Sequence, residues 1–267
     1  TDTGAPQRMK TTDTGAPQQM KTTETGAPQR MKIGGAEAVQ RLRVTFSQSG
    51  AMRYVGHLDV VRTWERALRR AGTPLAYSGG FNPGPRLYFA SGLPLGATGR
   101  AEIVDVLLVE AMPPAAFQAA IGSQLPVGLT VLHVEEAPLQ TPALQAVLLS
   151  SLWQIDVESD ASPEQLADRA QALLAQPSIP AQKRRKGQQK SYDLRPLILA
   201  VSYDGQPEPG WRRLSVTLRS EPSATGRADA LLEALGLGEA LARIERVQLT
   251  FAEIREGVNL ESEPPTF

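Results

Sequence analysis

Apolar and polar residues alternate with two different periods in the first part of the chain. Leu42, Val44 and Phe46 are separated by single polar residues, which predicts a half-buried strand. Over residues 57–71 the apolar positions recur every three to four residues, which predicts an amphipathic helix. The predicted buried positions of that helix are Leu58, Val61, Leu68 and Ala71.

The segments that follow repeat one order of elements. After the first helix, the patterning predicts two strands, a helix and a strand, at 86–93, 101–110, 113–125 and 127–137. On the last of these strands, Leu129, Val131 and His133 or their neighbours are expected to face the core. Strand, helix, extended segment, strand, helix and strand then recur at 152–159, 162–176, 178–203, 212–220, 227–237 and 243–254. Strand, helix, two paired strands, helix, strand is the split βαβ order of the ferredoxin-like fold.

The predicted fold class is therefore α+β, with two ferredoxin-like halves in tandem at 38–140 and 148–256. Residues 1–36 precede them and contain three copies of an 11-residue unit, TDTGAPQRMKT and two variants. Each copy carries Gly-Ala-Pro and very few apolar residues, so it forms neither an apolar stripe nor a continuous helix. We expect this repeat tail to be disordered, and residues 257–267 to form a second, short tail.

Charged residues are segregated along a chain whose formal net charge is zero. Residues 41–100 contain nine arginines, no lysine and two acids, whereas residues 101–182 contain ten acids and one base. Residues 183–195 contain six bases and one acid, and residues 196–267 return to eleven acids and seven bases. The two basic islands, 41–100 and 183–195, are either solvated faces with ordinary ion pairs or surfaces that face a polyanion.

His57, Tyr54 and Asp59 form the group of residues that most resembles a general acid–base site. A histidine exchanges protons near neutral pH. Gly56 and Asp59, however, occupy the N-cap and the acidic third position of a predicted helix start. His57 is thus a structural residue, a nucleic-acid contact or a weak candidate catalytic residue, and the sequence leaves these alternatives open.

The loop GGFNPGPR, residues 79–86, combines glycines and prolines with Phe81, Asn82 and Arg86. Glycine permits close approach of a ligand to the backbone, proline stiffens the loop, and Asn or Arg side chains bind base edges or phosphates. The sequence supports two interpretations of it: a turn that Phe81 anchors in the core, or a loop that faces a ligand. The chain contains no GxxxxGK phosphate loop.

The second island contains a basic run at 183–190, which we interpret as an exposed hairpin that binds phosphates by charge. Asp193 and Arg195 follow it and are placed to pair with each other or with that hairpin. Arginine, lysine and exposed aromatic residues suit phosphates and unstacked bases. The predicted RNA-binding residues are Arg53, Arg62, Arg66, Arg69, Arg70, Tyr77, Phe81, Asn82, Arg86, Lys183, Arg184, Arg185, Lys186, Lys190 and Arg195.

The composition excludes several function classes. Without cysteine, the chain has no disulfide, thiol nucleophile or cysteine-held iron–sulfur cluster, and only His57 and His133 offer imidazole to a metal. No metal site and no cofactor are predicted. There is no run of 18 apolar residues and no signal-peptide core, so we expect a cytoplasmic protein without a membrane partner.

Three blocks carry a resemblance to a known family: GHLD at 56–59, YSGGFNPGPR at 77–86 and DLRPL at 193–197. With these blocks, residues 40–256 resemble the radical SAM-linked protein family, a bacterial domain of unknown function. The resemblance implies a partner, because members occur fused to or encoded beside a cobalamin-binding radical SAM protein, with ribonuclease and ribosomal-protein genes among their neighbours. It also implies an accessory role, since a radical SAM enzyme holds its cluster with cysteines. It assigns no catalytic residue.

Two ferredoxin-like halves with basic residues also resemble RAMP-type endoribonucleases, in which a histidine of the first helix acts as general acid or base. The glycine-rich C-terminal loop of those proteins is not evident in this sequence. We therefore expect a non-catalytic RNA-binding protein that presents a structured RNA, tRNA or rRNA, to a separate radical SAM enzyme. The alternatives are a metal-independent endoribonuclease that uses His57, and a protein-interaction module that binds the radical SAM enzyme through the acidic span 101–182 without RNA.

Overall fold

The computed structural model describes residues 37–79, 81–185 and 188–252, and of residues 183–185 it describes the backbone alone. The predicted repeat tail and the predicted tail at 257–267 lie outside the described residues. The first half of the described part contains β1 (Gln40–Gln48), α1 (His57–Arg70), β2 (Leu87–Phe89), β3 (Thr98–Leu108), α2 (Pro114–Gly122) and β4 (Leu129–Ala137). A 3-10 helix at Gly50–Tyr54 precedes α1.

The second half follows a short connecting segment. Its elements are α3 (Leu144–Val147), β5 (Leu148–Glu158), α4 (Pro163–Ala175), β6 (Pro180–Arg185), β7 (Gln188–Asp193), β8 (Ile198–Tyr203), β9 (Trp211–Glu221), β10 (Ala224–Thr225), α5 (Ala228–Ala234) and β11 (Ala242–Phe251). Ser162 caps α4 by accepting from the backbone N–H of Gln165, whose side chain accepts from the N–H of Ser162 in return, a capping box.

Within the described residues, nine strands form one mixed sheet, in the order β10-β9-β5-β11-β3-β1-β4, with β2 on β3 and β8 on β9. All of its pairs are antiparallel except β11 with β3, which run parallel through Glu245–Thr98 and Arg246–Gly99. β6 and β7 form a separate two-stranded sheet. The protein is therefore of mixed α and β structure, and a short parallel contact makes the sheet continuous from one half to the other.

The predicted first helix is confirmed as α1, but of its predicted buried positions only Leu68 is fully buried, while Val61 and Ala71 are half-buried. The buried residues are Val60, Trp64, Ala67 and Leu68, whereas Leu58 is 70% exposed. Trp64 has the largest apolar side chain of the helix, and the helix is rotated so that this residue lies inside. Gly72, with a φ of 67°, ends the helix in the left-handed conformation that glycine favours.

Two strand predictions also need correction. The strand predicted at 86–93 is limited to β2, because the carbonyl groups of Ser91 and Gly92 accept hydrogen bonds from Arg246. On β4, Leu129 and Val134 are buried but His133 is exposed. The pairing of β4 with β1 shifts by one residue between these positions, and a bulge of this kind turns the following side chains to the other face.

Each half has its own apolar core between sheet and helices. In the first half, Phe46, Trp64 and Phe89 contact one another edge to face, with ring centroids 4.9–6.3 Å apart. In the second half, Trp153 and Ile155 of β5 pack against helices α4 and α5. These cores hold α1 and the loops of the first basic island on a rigid scaffold.

Candidate nucleic-acid interface

The exposed side of α1 carries four arginines, which differ in what they contact. Arg62 pairs at 2.8 Å with the Asp59 carboxylate. Arg70 donates at 2.6 Å to the backbone carbonyl two residues after α2 and so ties the two helices together. Arg66 and Arg69 are exposed and have no hydrogen-bond or ion-pair partner among the described residues. These two guanidinium groups are available to an anionic ligand.

Residues 77–86, called the aromatic hairpin from here on, lie between α1 and β2. Tyr77 and Pro85 pair across its base. Phe81 is completely exposed beyond that pair, and Asn82 beside it is exposed too. The interpretation in which Phe81 anchors this loop in the core is therefore wrong, and the loop presents its aromatic side chain to solvent.

The other predicted RNA contacts of the aromatic hairpin lie closer to its base. Tyr77 is half-buried and packs against the core of the first half. The Nε of Arg86 donates to the hydroxyl of Tyr88 at 3.3 Å, and both side chains are partly exposed. Tyr77 thus anchors the hairpin to the core, whereas the side chains of Arg86, its last residue, and Tyr88 are partly accessible to solvent.

β6 and β7, called the basic ribbon from here on, pair from Pro180–Asp193 to Arg185–Gln188. Lys190 is exposed on β7 and pairs with Lys183 on β6. The predicted contact Lys186 lies outside the described residues, and for Arg184 and Arg185 only the backbone is described. The backbone of the predicted hairpin is thus confirmed.

Asp193 and Arg195 hold the base of the basic ribbon, and they do so through the backbone. The Asp193 carboxylate accepts from the N–H groups of Ile179 and Arg195 at 2.8 and 2.9 Å, which lowers its pKa. The Arg195 guanidinium donates to the carbonyls of Leu174 and Ile198 at 2.9 and 3.0 Å. The Arg195 guanidinium thus binds backbone carbonyls of the protein itself, whereas the Lys190 side chain is exposed to solvent.

Arg53 lies on the 3-10 helix before α1. Its guanidinium lies 4.8 Å from the ring centre of Tyr54 and donates to the Tyr54 hydroxyl at 2.7 Å. Tyr54 and Leu58 are both more than half exposed. Arg53 thus sits beside exposed apolar surface at the start of α1.

Several arginines of the first island form structural ion pairs instead. Arg41 and Arg43 both donate to the fully buried Asp105, at distances between 2.5 and 3.0 Å. Arg100 pairs with Glu245 on β11. The ion-pair interpretation therefore holds for these residues, and Arg66 and Arg69 remain as the exposed, unpaired part of the island.

A buried ion pair joins the two halves where β11 meets β3. Arg246 donates to both carboxylate oxygens of Glu102, at 2.9 and 2.5 Å, and both side chains are less than 5% exposed. Arg246 also donates to the Ser91 carbonyl at 3.1 Å and lies 5.4 Å from the ring centre of Trp153. The junction pair was not predicted from the sequence, and the available signal was Glu102 near the start of a predicted strand that is mainly apolar.

A family model described as uncharacterized protein conserved in bacteria (DUF2344) matches residues 41–225. That segment includes α1, the aromatic hairpin and the basic ribbon. The chain belongs to this family. No curated protein matches it.

Two solved structures show partial likeness to this DUF2344 chain. A Cbf5-Nop10-Gar1 complex gives a TM-score of 0.43 at 11% identity, covering 84% of this chain and 51% of the other. An archaeal box H/ACA sRNP Nop10-Cbf5 complex gives a TM-score of 0.40 at 8% identity, and the match covers 78% of this chain and 48% of the other. The chain thus spans about half the length of each matched chain. At these TM-scores the likeness does not establish a shared fold, and no function is inferred from it.

His57, the weak catalytic candidate, lies next to the junction pair. Its ring contacts Phe89 edge to face at a centroid distance of 5.5 Å, and a Cβ at Gly92 would lie 2.9 Å from it. Burial and the nearby Arg246 guanidinium lower the pKa of His57, against a smaller opposing effect of Glu102. The neutral imidazole is therefore the favoured form at neutral pH, packed against the first half's core.

Acidification is expected to destabilise the protein through His57. Because its folded-state pKa lies below the unfolded value of 6.5, the unfolded chain binds more protons as the pH falls through that value. The stability that the neutral ring confers is therefore present above pH 6.5 and lost progressively below it. Urea unfolding at about pH 7.5 and about pH 5.5 should show a smaller pH dependence in His57→Gln than in the wild type. His133→Gln is the control and should retain the wild-type dependence, and equal dependence in His57→Gln would contradict the assignment.

Within the described ranges, no helix is long and apolar enough to cross a membrane. The same residues contain no group of three or more histidine, aspartate or glutamate side chains arranged to hold a metal ion.

Proposed function

We propose that this chain is an RNA-binding accessory protein that presents a structured RNA, such as tRNA or rRNA, to a separate modification enzyme of the radical SAM class. The observation that carries the proposal is the pair of exposed, unpaired arginines on α1, Arg66 and Arg69, followed at once by the aromatic hairpin. Between Glu65 and Glu102 the chain contains no acid, so no carboxylate of this segment opposes a polyanion there.

Phosphate binding is the chemistry that these arginines suit best. A guanidinium donates two parallel hydrogen bonds to a phosphate and keeps its charge at every physiological pH. Because Arg66 and Arg69 have no carboxylate partner among the described residues, binding a phosphate there breaks no existing ion pair. Lys190 on the basic ribbon adds an exposed cation in the second half. Such contacts orient an RNA without reading its sequence.

We interpret each half as a ferredoxin-like unit, and the tandem as similar in plan to RAMP proteins. The strand orders β2-β3-β1-β4 and β8-β9-β5-β11 support this interpretation, because both place the first and third strands at the centre. A fold of this kind is compatible with many functions. The RNA-binding role therefore rests on the exposed groups rather than on the fold.

The accessory part of the proposal rests on the resemblance to the radical SAM-linked family and on the composition. An iron–sulfur cluster of that enzyme class is held by cysteine thiolates, and this chain has none. We therefore assign the chemistry to a partner enzyme and the holding of RNA to this chain.

Charge reversal of the unpaired arginines is expected to weaken RNA binding. In Arg66→Glu/Arg69→Glu, about two phosphate contacts are lost, so affinity should fall roughly tenfold or more and the slope of log K against log salt should flatten by about 2. Fluorescence anisotropy of the full chain with labelled tRNA and rRNA fragments, over a salt series, measures both quantities.

Arg169→Glu is the matched control, because Arg169 is also exposed on a helix but belongs to the acidic span. It should leave both the affinity and the salt slope close to wild type. Equal binding by the double variant and the wild type would remove the proposed surface. RNA cleavage in EDTA that His57→Ala abolishes would favour the endoribonuclease alternative, and co-purification of a radical SAM enzyme without RNA would favour the interaction module.

A further inference from the structure

Phe81 is the most exposed large apolar side chain of the described residues, and it belongs to none of their apolar clusters. We infer that the aromatic hairpin holds one unpaired base of the bound RNA by stacking it on the ring of Phe81. This inference rests on the proposed function and adds to it a substrate class. The RNA would carry an unpaired nucleotide, in a loop or bulge, next to the segment whose phosphates Arg66 and Arg69 bind.

The base of the aromatic hairpin is held by two hydrogen bonds between Ser78 and Gly84. The N–H of Ser78 donates to the carbonyl of Gly84 at 2.9 Å, and the N–H of Gly84 donates back to the Ser78 hydroxyl at 3.1 Å. Pro83 and Pro85 restrict the backbone torsions of the returning strand. The base of the hairpin is therefore preorganised, which lowers the conformational entropy lost when a nucleobase stacks on Phe81.

The stem of the aromatic hairpin is joined to the end of β3. Ala76 donates to the carbonyl of Leu107 at 2.8 Å, Arg86 donates to the carbonyl of Ala76 at 2.8 Å, and Leu107 donates to the carbonyl of Arg86 at 3.2 Å. The N–H of Val109 donates to the carbonyl of Pro74 in the segment that leaves α1. The segment that leaves α1 and the hairpin stem thus meet at the same end of β3, and Pro74 lies five residues after Arg69 in the sequence.

The surroundings of Phe81 favour a nucleobase over an apolar protein pocket. The residues next to it in sequence are glycine, asparagine and proline, none of which has a large apolar side chain. Asn82, next to it and exposed, supplies the amide donors and acceptor that match a base edge. Aromatic stacking accepts the face of any base, and RNA-binding proteins take bases chiefly from unpaired segments.

The experiment compares two RNAs with the full-length chain: a 20-base-pair RNA duplex, and the same duplex with a three-nucleotide bulge that contains 2-aminopurine. The wild type should bind the bulged RNA about tenfold more tightly than the duplex, since one stacked base contributes about that factor. Phe81→Ala should bind both RNAs equally, at the affinity of the wild type for the duplex. The 2-aminopurine fluorescence should change on binding to the wild type and stay constant with Phe81→Ala.

Two further variants make the outcome specific. Phe81→Trp should keep the preference for the bulged RNA, because indole also stacks. Val127→Ala is the matched control, since Val127 is an equally exposed apolar residue on the loop before β4, and it should behave as wild type. If Arg66→Glu/Arg69→Glu weakens binding but Phe81→Ala keeps the preference for the bulge, the stacking inference is overturned and the proposed function stands. If the wild type binds neither RNA, both fail, and Phe81 is then a contact for a protein partner.

Discussion

Replacing Arg246 with alanine is expected to lower the free energy of unfolding by about 3–5 kcal/mol. The guanidinium neutralises the buried carboxylate of Glu102 and donates to the Ser91 carbonyl. Without it, that carboxylate stays in a site that is almost closed to water and has lost the arginine that pairs with it. Urea unfolding followed by tryptophan fluorescence measures the loss.

The paired control for Arg246→Ala is Arg62→Ala. Arg62 also pairs with a carboxylate, but both side chains of that pair are more than 60% exposed, so the expected loss is below about 1 kcal/mol. Replacing both members of the junction pair, Glu102→Met with Arg246→Met, should recover part of the loss, because no buried charge is then left unpaired. Losses of similar size in Arg246→Ala and Arg62→Ala would contradict the buried-charge explanation.

Asp105→Ala is expected to have an effect of similar size, about 3–5 kcal/mol. The fully buried Asp105 carboxylate accepts from both Arg41 and Arg43, and Arg41 is itself 4% exposed. Arg41 also donates to the carbonyls of Thr141 and Pro142, which fixes the segment between β4 and α3. The variant should therefore lose stability in urea, and limited proteolysis should cut that segment faster than in the wild type.

Asp156→Ala provides the comparison for Asp105→Ala. Asp156 pairs with Arg213 at 2.7 Å in a more open site, where the arginine side chain is 30% exposed. Its removal should cost about 1 kcal/mol, since water reaches the guanidinium that remains. If Asp105→Ala lowers the free energy of unfolding by no more than Asp156→Ala does, the carbonyls of Thr141 and Pro142 are sufficient hydrogen-bond partners for the buried Arg41 guanidinium.

The order of the longer helices and strands followed from apolar periodicity, because period 2 and period 3.6 leave distinct patterns in strands and helices, whereas the short α3 and β10 were not predicted. The predicted helix at 57–71 agrees within one residue with α1 at His57–Arg70, but the buried face of α1 is rotated relative to the predicted one. Leu58 and Trp64 lie on different sides of the helix, and which side is buried depends on the sheet beneath it. Periodicity finds such a helix, and packing decides its orientation.

The candidate site was predictable as a basic segment but not residue by residue. Arg41 and Arg100 belong to the same island as Arg66, and their partners Asp105 and Glu245 lie 64 and 145 residues away in sequence. Pairing over such separations depends on strand order, which one sequence does not fix. Whether Phe81 is buried in the core or exposed to solvent also depends on how the strands are arranged, so the sequence did not decide between the two.

The junction pair has a consequence for the order of events during synthesis. Glu102 and Arg246 are 144 residues apart. At translation rates of about 5–20 residues per second, the arginine is added roughly 7–30 s after the glutamate. The residues of the first half's apolar core, which end at Val134, are all synthesised before that, but the ion pair of Glu102 can form only after Arg246 has been added. Full stability is therefore reached only when β11 has been made and has joined β3.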